Sequence, residues 1–179
     1  MILPLIQKRR SIRKYGRKRI EPDKIHALIE AALRSPSSMG SDPWEFVVVD
    51  DPDLLDKLSK AKPQGSTFIK NAPLGVVVCA DPERSSVWVE DTSIASTYIQ
   101  LTAESLGLSS CWIQIRERMH DQTKTSEAYI SEVLNIPKRM KVEAMIAIGY
   151  AGEKKEPHSK EDVQWRKAYR NSYGRPYEG

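Results

Sequence analysis

Two cysteines in 179 residues leave little for a disulfide framework to use. Cys79 and Cys111 lie in apolar surroundings, outside any CxxC pair, and read as buried, reduced thiols. Histidine is equally scarce: His26, His120 and His158 are far apart and show no metal-ligand spacing. There is no Walker loop and no GxGxxG fingerprint. Gly149-Tyr150-Ala151-Gly152 lacks a third glycine and a following apolar helix, which disfavours a dinucleotide-binding Rossmann fold. No Ser-His-Asp or Cys-His spacing supports a nucleophile. No apolar run approaches transmembrane length. The opening Met-Ile-Leu-Pro-Leu-Ile is too short for a signal segment and precedes its charges, so a cytoplasmic location is expected.

What is present is ordinary in bulk and uneven in distribution. The chain is 40% hydrophobic and 29% charged with a net charge of +4, as expected of one folded domain with a sizeable core. Residues 8 to 19 carry eight Lys or Arg and no acid, which leaves the rest of the chain at −4. Within that run, Arg9-Arg10-Ser11-Ile12-Arg13 packs three guanidinium forks and a hydroxyl around one apolar residue. Guanidinium forks fit phosphate oxygens. On these residues alone, an anion site, a nucleic-acid contact and a solvated basic face all remain open.

Along the chain, helix and strand patterns alternate. Ile25, Leu28, Ile29, Ala32 and Leu33 recur at helical spacing, with Pro22 and Asp23 suited to the first turn. A small polar loop, 36–43, precedes an apolar strand at 46–49. A helix over Leu54–Ala61 and a strand over 75–80 follow. A long helix is expected from about Trp88 to Leu106, with Ile94, Ala95, Tyr98, Leu101 and Thr102 as its inner stripe and Gly107 as its stop. Ser110–Ile115 reads as a strand, 128–134 as a helix and 142–150 as a strand. Continuous apolar strands imply a sheet covered on both faces. Residues 152–179 read as an arm, and its aromatics Trp165, Tyr169, Tyr173 and Tyr177 argue against a frayed tail.

Glu90-Asp91 stands near a helix start, where the macrodipole favours acids. Trp44 and Trp112 border apolar strands and read as packing residues. The chain thus supplies phosphate and hydrogen-bond donors without an evident nucleophile, metal or proton shuttle. That combination fits an enzyme whose reactive centre is a bound organic cofactor.

Read together, the motifs resemble the FMN-dependent nitroreductase family in its short, single-domain form. Arg9-Arg10-Ser11-Ile12-Arg13-Lys14-Tyr15 is similar to that family's RRSxRxF/Y motif. Residues 36–44 resemble its PSSxNxQPW loop, with Gly40 in place of Asn and Asp42 in place of Gln. Gly107–Ile113 resembles GLGSCWI, with Ser109 in place of glycine, and Ile148-Gly149-Tyr150 resembles IGY. Asp91, Ile94 and Ala95 look like part of the family's central helix.

The resemblance implies an α+β, nitroreductase-like fold with a central, mainly antiparallel sheet flanked by helices. It also implies an intertwined homodimer: residues 1–151 as the FMN-binding domain, 152–179 as an arm packing on the partner subunit. Arg9, Arg10, Ser11 and Arg13 are then expected to hold the phosphate, ribityl chain and pyrimidine edge of FMN. Pro36, Ser37, Ser38 and Gly40 would approach from the other subunit. Gln114, Ile115 and Arg116 would lie near the ring, with Gln64 in a loop reaching the flavin. Lys155 and Lys160 are both candidates to complete the phosphate site. The implied activity passes a hydride from NADH or NADPH through flavin N5 to nitroaromatics, quinones or related electron-poor small molecules, with no nucleic-acid or membrane partner. Asp42 would disfavour acidic substrates. A flavin carrier or sensor without turnover, and a nucleic-acid-binding module built on residues 8–19, are the alternatives. Arg17, Lys18 and Arg19 read as a solvated face.

Overall fold

β-Branched and aliphatic residues dominate the run Leu74–Ala80, and that run is buried along its whole length. It forms a central strand of a four-stranded sheet in a computed structural model that describes residues 1–177. The last two residues of the expected arm, 178 and 179, lie outside the described residues.

In chain order the elements are α1 (Ile2–Lys8), α2 (Pro22–Leu33), β1 (Trp44–Val49), α3 (Pro52–Ser59), β2 (Leu74–Ala80), α4 (Trp88–Ser105), β3 (Ser109–Gln114), α5 (Ser126–Leu134) and β4 (Lys141–Gly149). The strands are ordered β1-β2-β4-β3 and every neighbouring pair is antiparallel. The expected α+β fold with an antiparallel sheet is therefore what forms.

Alternation along the strands builds two cores. Val76, Val78, Ile146 and Ile148 face α2 and α4, meeting Leu28, Ala32, Ile99 and Ala103. Val77, Met145 and Ala147 face the opposite way, towards Leu55 and Leu58 of α3 and Ile130 of α5. Both cysteines are buried and unpaired; Cys79 belongs to this second core, Cys111 stands opposite Ala147 across the sheet, and burial pushes the Cys79 thiol up to about 12.

Three details differ from the sequence reading. Helix α1 was not expected; Pro4 sits within its first turn, where a missing N–H costs nothing. The buried stripe of α4 is Thr92, Ala95, Ser96, Ile99 and Ala103, while Ile94 and Tyr98 are 39% and 41% exposed. That helix has two apolar stripes, and the one with the smaller side chains approaches the sheet. The arm returns along the N-terminal segment at 153–158 and is then almost wholly exposed, with Trp165 at 59% and Tyr173 at 91%. Its rings pair with one another, Tyr169 tilted against Tyr173 at 4.6 Å and Trp165 nearly parallel to Tyr177 at 6.2 Å.

One irregularity positions a side chain. The β2–β4 ladder shifts between Val78, opposite Ala144, and Cys79, opposite Val142. Glu143 is the extra residue, and its carbonyl accepts the N–H groups of both Ile115 and Arg116. Its side chain is thereby turned towards Gln114 and Arg116.

Candidate functional site

Ile12 fixes the basic segment to the body of the protein. Its side chain is buried, and its N–H donates to the Ser110 carbonyl on the edge of β3 at 3.2 Å. The Tyr15 hydroxyl donates towards the carbonyls of Ile12 and Ala147, at 2.6 and 3.1 Å, and burial pushes that phenol up. Glu153 accepts the Arg13 N–H at 2.7 Å, a bond that holds its carboxyl below the usual range. With the backbone pinned on both sides, the polar side chains of residues 9–13 have one direction left.

They converge. Arg9, Arg10, Ser11 and Arg13 line a cavity of about 220 Å³ together with Lys155 and His158. Lys155 donates to the Ser11 carbonyl at 2.6 Å, and Arg10 donates to the Glu156 carbonyl. Lys160 does not join the cluster; it is exposed, and its carbonyl accepts the Val163 N–H. Of the two late lysines, the structure brings only Lys155 to the cavity. His158 also lines it, and no sequence signal marked that residue.

Among the described residues no carboxylate lines this cavity, although Glu153 Oε1 stands 3.8 Å from Lys155 Nζ, and its four cations make the field positive. Cys111 lies beneath it. Burial raises that thiol above its ordinary value, against the opposing pull of Arg13, a Ser11 hydrogen bond, Lys155 and Arg9. A thiol kept protonated is a packing group here, not a nucleophile.

Further along β3, Trp112 Nε1 donates to Gln114 Oε1 at 3.0 Å, and Gln114 Nε2 donates to the Arg116 carbonyl at 3.1 Å. Lys62 Nζ donates to the Gln114 carbonyl at 3.0 Å. Burial, then the Arg118 charge, lowers the Lys62 ammonium. Lys62 was not anticipated; it sits two residues before the expected Gln64, which is exposed.

Arg116 is already engaged, with Glu117 at 2.8 Å and with its guanidinium 6.0 Å from the Trp88 ring. Ile115, expected near the ring, offers no free side-chain surface and no free N–H. Its side chain is fully buried, its N–H is committed to Glu143 and its carbonyl accepts from Arg118. It positions its neighbours instead.

Loop 36–43 forms a third group. Ser37 Oγ donates to Asp42 Oδ1 at 2.6 Å and accepts the Asp42 N–H at 3.0 Å. Asp42 thus closes its own loop. The Ser38 N–H donates to Asp91 Oδ1 at 2.8 Å, and Ser85 Oγ donates to Asp91 Oδ2 at 2.7 Å. Asp91 is 2% exposed, so the carboxylate read as a helix-start acid also ties the loop to α4. Gly40 has φ +64°, a left-handed conformation that glycine and asparagine both tolerate. That accounts for the exchange of those two residue types here. Among the described residues no hydrogen bond or ion pair joins this loop to residues 9–13 of the same chain. Pro36, Ser38, Met39 and Gly40 are exposed.

The arrangement offers a phosphate-sized cationic cavity at one end of β3 and a cluster of hydrogen-bonding groups at the other. Comparison with known proteins gives the family and the fold. The profile of the nitroreductase family matches residues 6–65 and 61–150. An Archaeoglobus fulgidus protein with the provisional name NADH dehydrogenase/NAD(P)H nitroreductase is 35% identical over 164 residues, covering 89% of this chain and 91% of that protein. Among solved structures, an FMN-dependent nitroreductase from Clostridium difficile superposes with a TM-score of 0.93 at 46% identity, covering 94% of this chain and 98% of that one. A protein from Parabacteroides distasonis, provisionally named NADH dehydrogenase/NAD(P)H nitroreductase, gives 0.87 at 31% identity, covering 96% and 98%.

Proposed function

The chain belongs to the nitroreductase family, and from that premise we propose that it is an FMN-dependent oxidoreductase. In this reading it takes a hydride from NADH or NADPH and delivers it to an electron-poor small molecule such as a nitroaromatic or a quinone. The observation that carries the reading is the cavity of Arg9, Arg10, Ser11, Arg13 and Lys155, which gathers four cations and a hydroxyl with no carboxylate in its lining among the described residues. That donor set fits a phosphate monoester.

Bound FMN supplies the two-electron relay between donor and acceptor. The protein's own residues bind and orient. Arg9, Arg10, Ser11 and Lys155 hold the phosphate. Arg13 would stabilise negative charge on the pyrimidine edge; its guanidinium lies 5.8 Å from the Phe68 ring, which limits its swing. Lys62 and the Gln114 backbone bound the other end of the site, and Trp112 fixes the Gln114 amide.

The serine loop is tied to α4 and away from the arginines of its own chain. Its Pro36, Ser37, Ser38 and Gly40 therefore serve the site of a partner subunit, in a homodimer whose arms cross between protomers. The exposed Ile94 and Tyr98 of α4 and the bare aromatic arm support that assembly.

The test has two parts. Purified protein should be yellow with one FMN per chain, and stopped-flow mixing with NADH or NADPH should bleach the flavin band. Colourless protein that takes up no added FMN would overturn the reading. Flavin that binds but is reduced by neither nicotinamide would replace it with a carrier function.

A further inference from the structure

The opening basic run is divided by the structure. In an extended segment side chains alternate. Lys18 turns to one side, 2.8 Å from Glu21 and over the Tyr150 ring at 4.4 Å. Arg17 and Arg19 turn to the other, where with Arg13, Lys14 and Lys70 they line a second cleft of about 510 Å³. Pockets for small organic ligands fall in this size class. The cleft lies at the end of the sheet where β1 leaves at Asp50 and β2 enters at Pro73. Asp50 is the one carboxylate in its lining.

None of these five cations has a carboxylate within 4.0 Å among the described residues, although ion pairs form at many other lysines and arginines of the chain. Like charges around one cleft repel, and among the described residues Asp50 is the one carboxylate in the lining to offset them. They are nonetheless held in place. Gly16 N–H donates to the Tyr150 carbonyl at 2.9 Å, and Gly152 N–H donates to the Lys14 carbonyl at 2.8 Å. A Cβ on Gly152 would come within 3.0 Å of the Tyr15 carbonyl carbon, so the two segments are packed without slack. A cavity of about 230 Å³, walled in part by Ile20, Ile25 and Pro73, shares Arg19 and Asp50 with the cleft.

We infer that this cleft is a second anion site, for a nucleoside di- or triphosphate, adjoining the flavin cavity and sharing Arg13 with it. The cations take the phosphates. Asp50 is placed to accept from ribose hydroxyls, and the adjoining cavity offers Ile20 and Ile25 to a base. A site for the flavin phosphate alone would need neither Arg17, Arg19 nor Lys70.

Isothermal titration of the FMN-loaded protein tests this with ADP, pyrophosphate and a DNA duplex as probes. ADP should bind with the flavin absorbance unchanged, and more weakly at high salt. Pyrophosphate should bind less tightly than ADP. Arg19→Ala and Lys70→Ala should each weaken ADP binding about tenfold, as expected for the loss of a charge-assisted contact. FMN content and melting temperature should not change, because both side chains are exposed. Four results overturn the inference: no ADP binding, ADP binding that expels FMN in proportion, affinity indifferent to both substitutions, or a duplex that outcompetes ADP. The FMN content of the same samples tests the flavin reading separately.

Discussion

Glu143 is the most exacting place to test the physical account of the site. It is the bulged residue of β4 and only 3% exposed. Oε1 accepts a long hydrogen bond from Gln114 Nε2 at 3.4 Å. Oε2 is buried with no hydrogen-bond partner among the described residues, and Arg116 Nε stands 4.0 Å away, within reach of Coulomb attraction but beyond a hydrogen bond. Burial is the largest influence on this carboxyl and raises it above its ordinary value of 4.5, against the smaller pulls of Gln114 and Arg116.

The sign follows from proton counting. Above pH 4.5 the unfolded chain releases this proton first while the folded chain retains it. Stability from this group is therefore complete below about pH 4.5 and falls as pH rises to the folded value. Glu143→Gln keeps the shape and removes the charge. An unsatisfied buried polar oxygen costs about 1–3 kcal/mol. At about 2–4 °C per kcal/mol for a domain of this size, the variant should melt about 2–12 °C higher at pH 7. At pH 4 the two proteins should melt together. Thermal denaturation at fixed protein concentration, from pH 4 to 8, reads this directly. A variant less stable than the parent at pH 7 would refute the reasoning, because it would mean that Arg116 fully compensates the carboxylate.

Three further outcomes are expected. Lys155→Ala should weaken FMN binding about tenfold to a hundredfold in a fluorescence titration, the loss of one charged contact, while Lys160→Ala leaves it within about twofold. Asp91→Ala removes the acceptor of two hydrogen bonds and should cost about 3 kcal/mol by denaturant unfolding, with Asp91→Asn costing less; a loss under about 1 kcal/mol would mean that the serine loop is held by something else. Gly40→Asn should be nearly neutral in chemical denaturation, whereas Gly40→Val should cost about 1–3 kcal/mol, since a β-branched residue resists φ +64°.

The strands were legible because their burial is nearly continuous: Val76 to Ala80 and Val142 to Ile148 have no solvent face, and Glu143 is the one charged residue in either run. Helix α1 was not, because Ile2, Leu3 and Ile6 remain 47% to 62% exposed in this chain and carry no buried face of their own. The α4 stripe was misread because periodicity reports that a face is apolar, not which neighbour covers it.

The sequence by itself determined the chemistry available near the N-terminus: three arginines and a serine in five positions, with Ile12 to anchor them. Its want of nucleophile and metal patterns led to the expectation of a bound organic cofactor as the reactive group. Only the tertiary structure decided which distant residues share that chemistry. Lys155, not Lys160, meets Ser11 because the chain after β4 runs back beside residues 11–15, bonded there through Glu153 and Gly152. Asp91 reaches Ser38 across 53 residues, and Lys62 reaches Gln114 across 52. Such contacts leave no local trace, because a hydrogen bond between remote segments constrains position in space and not spacing along the chain.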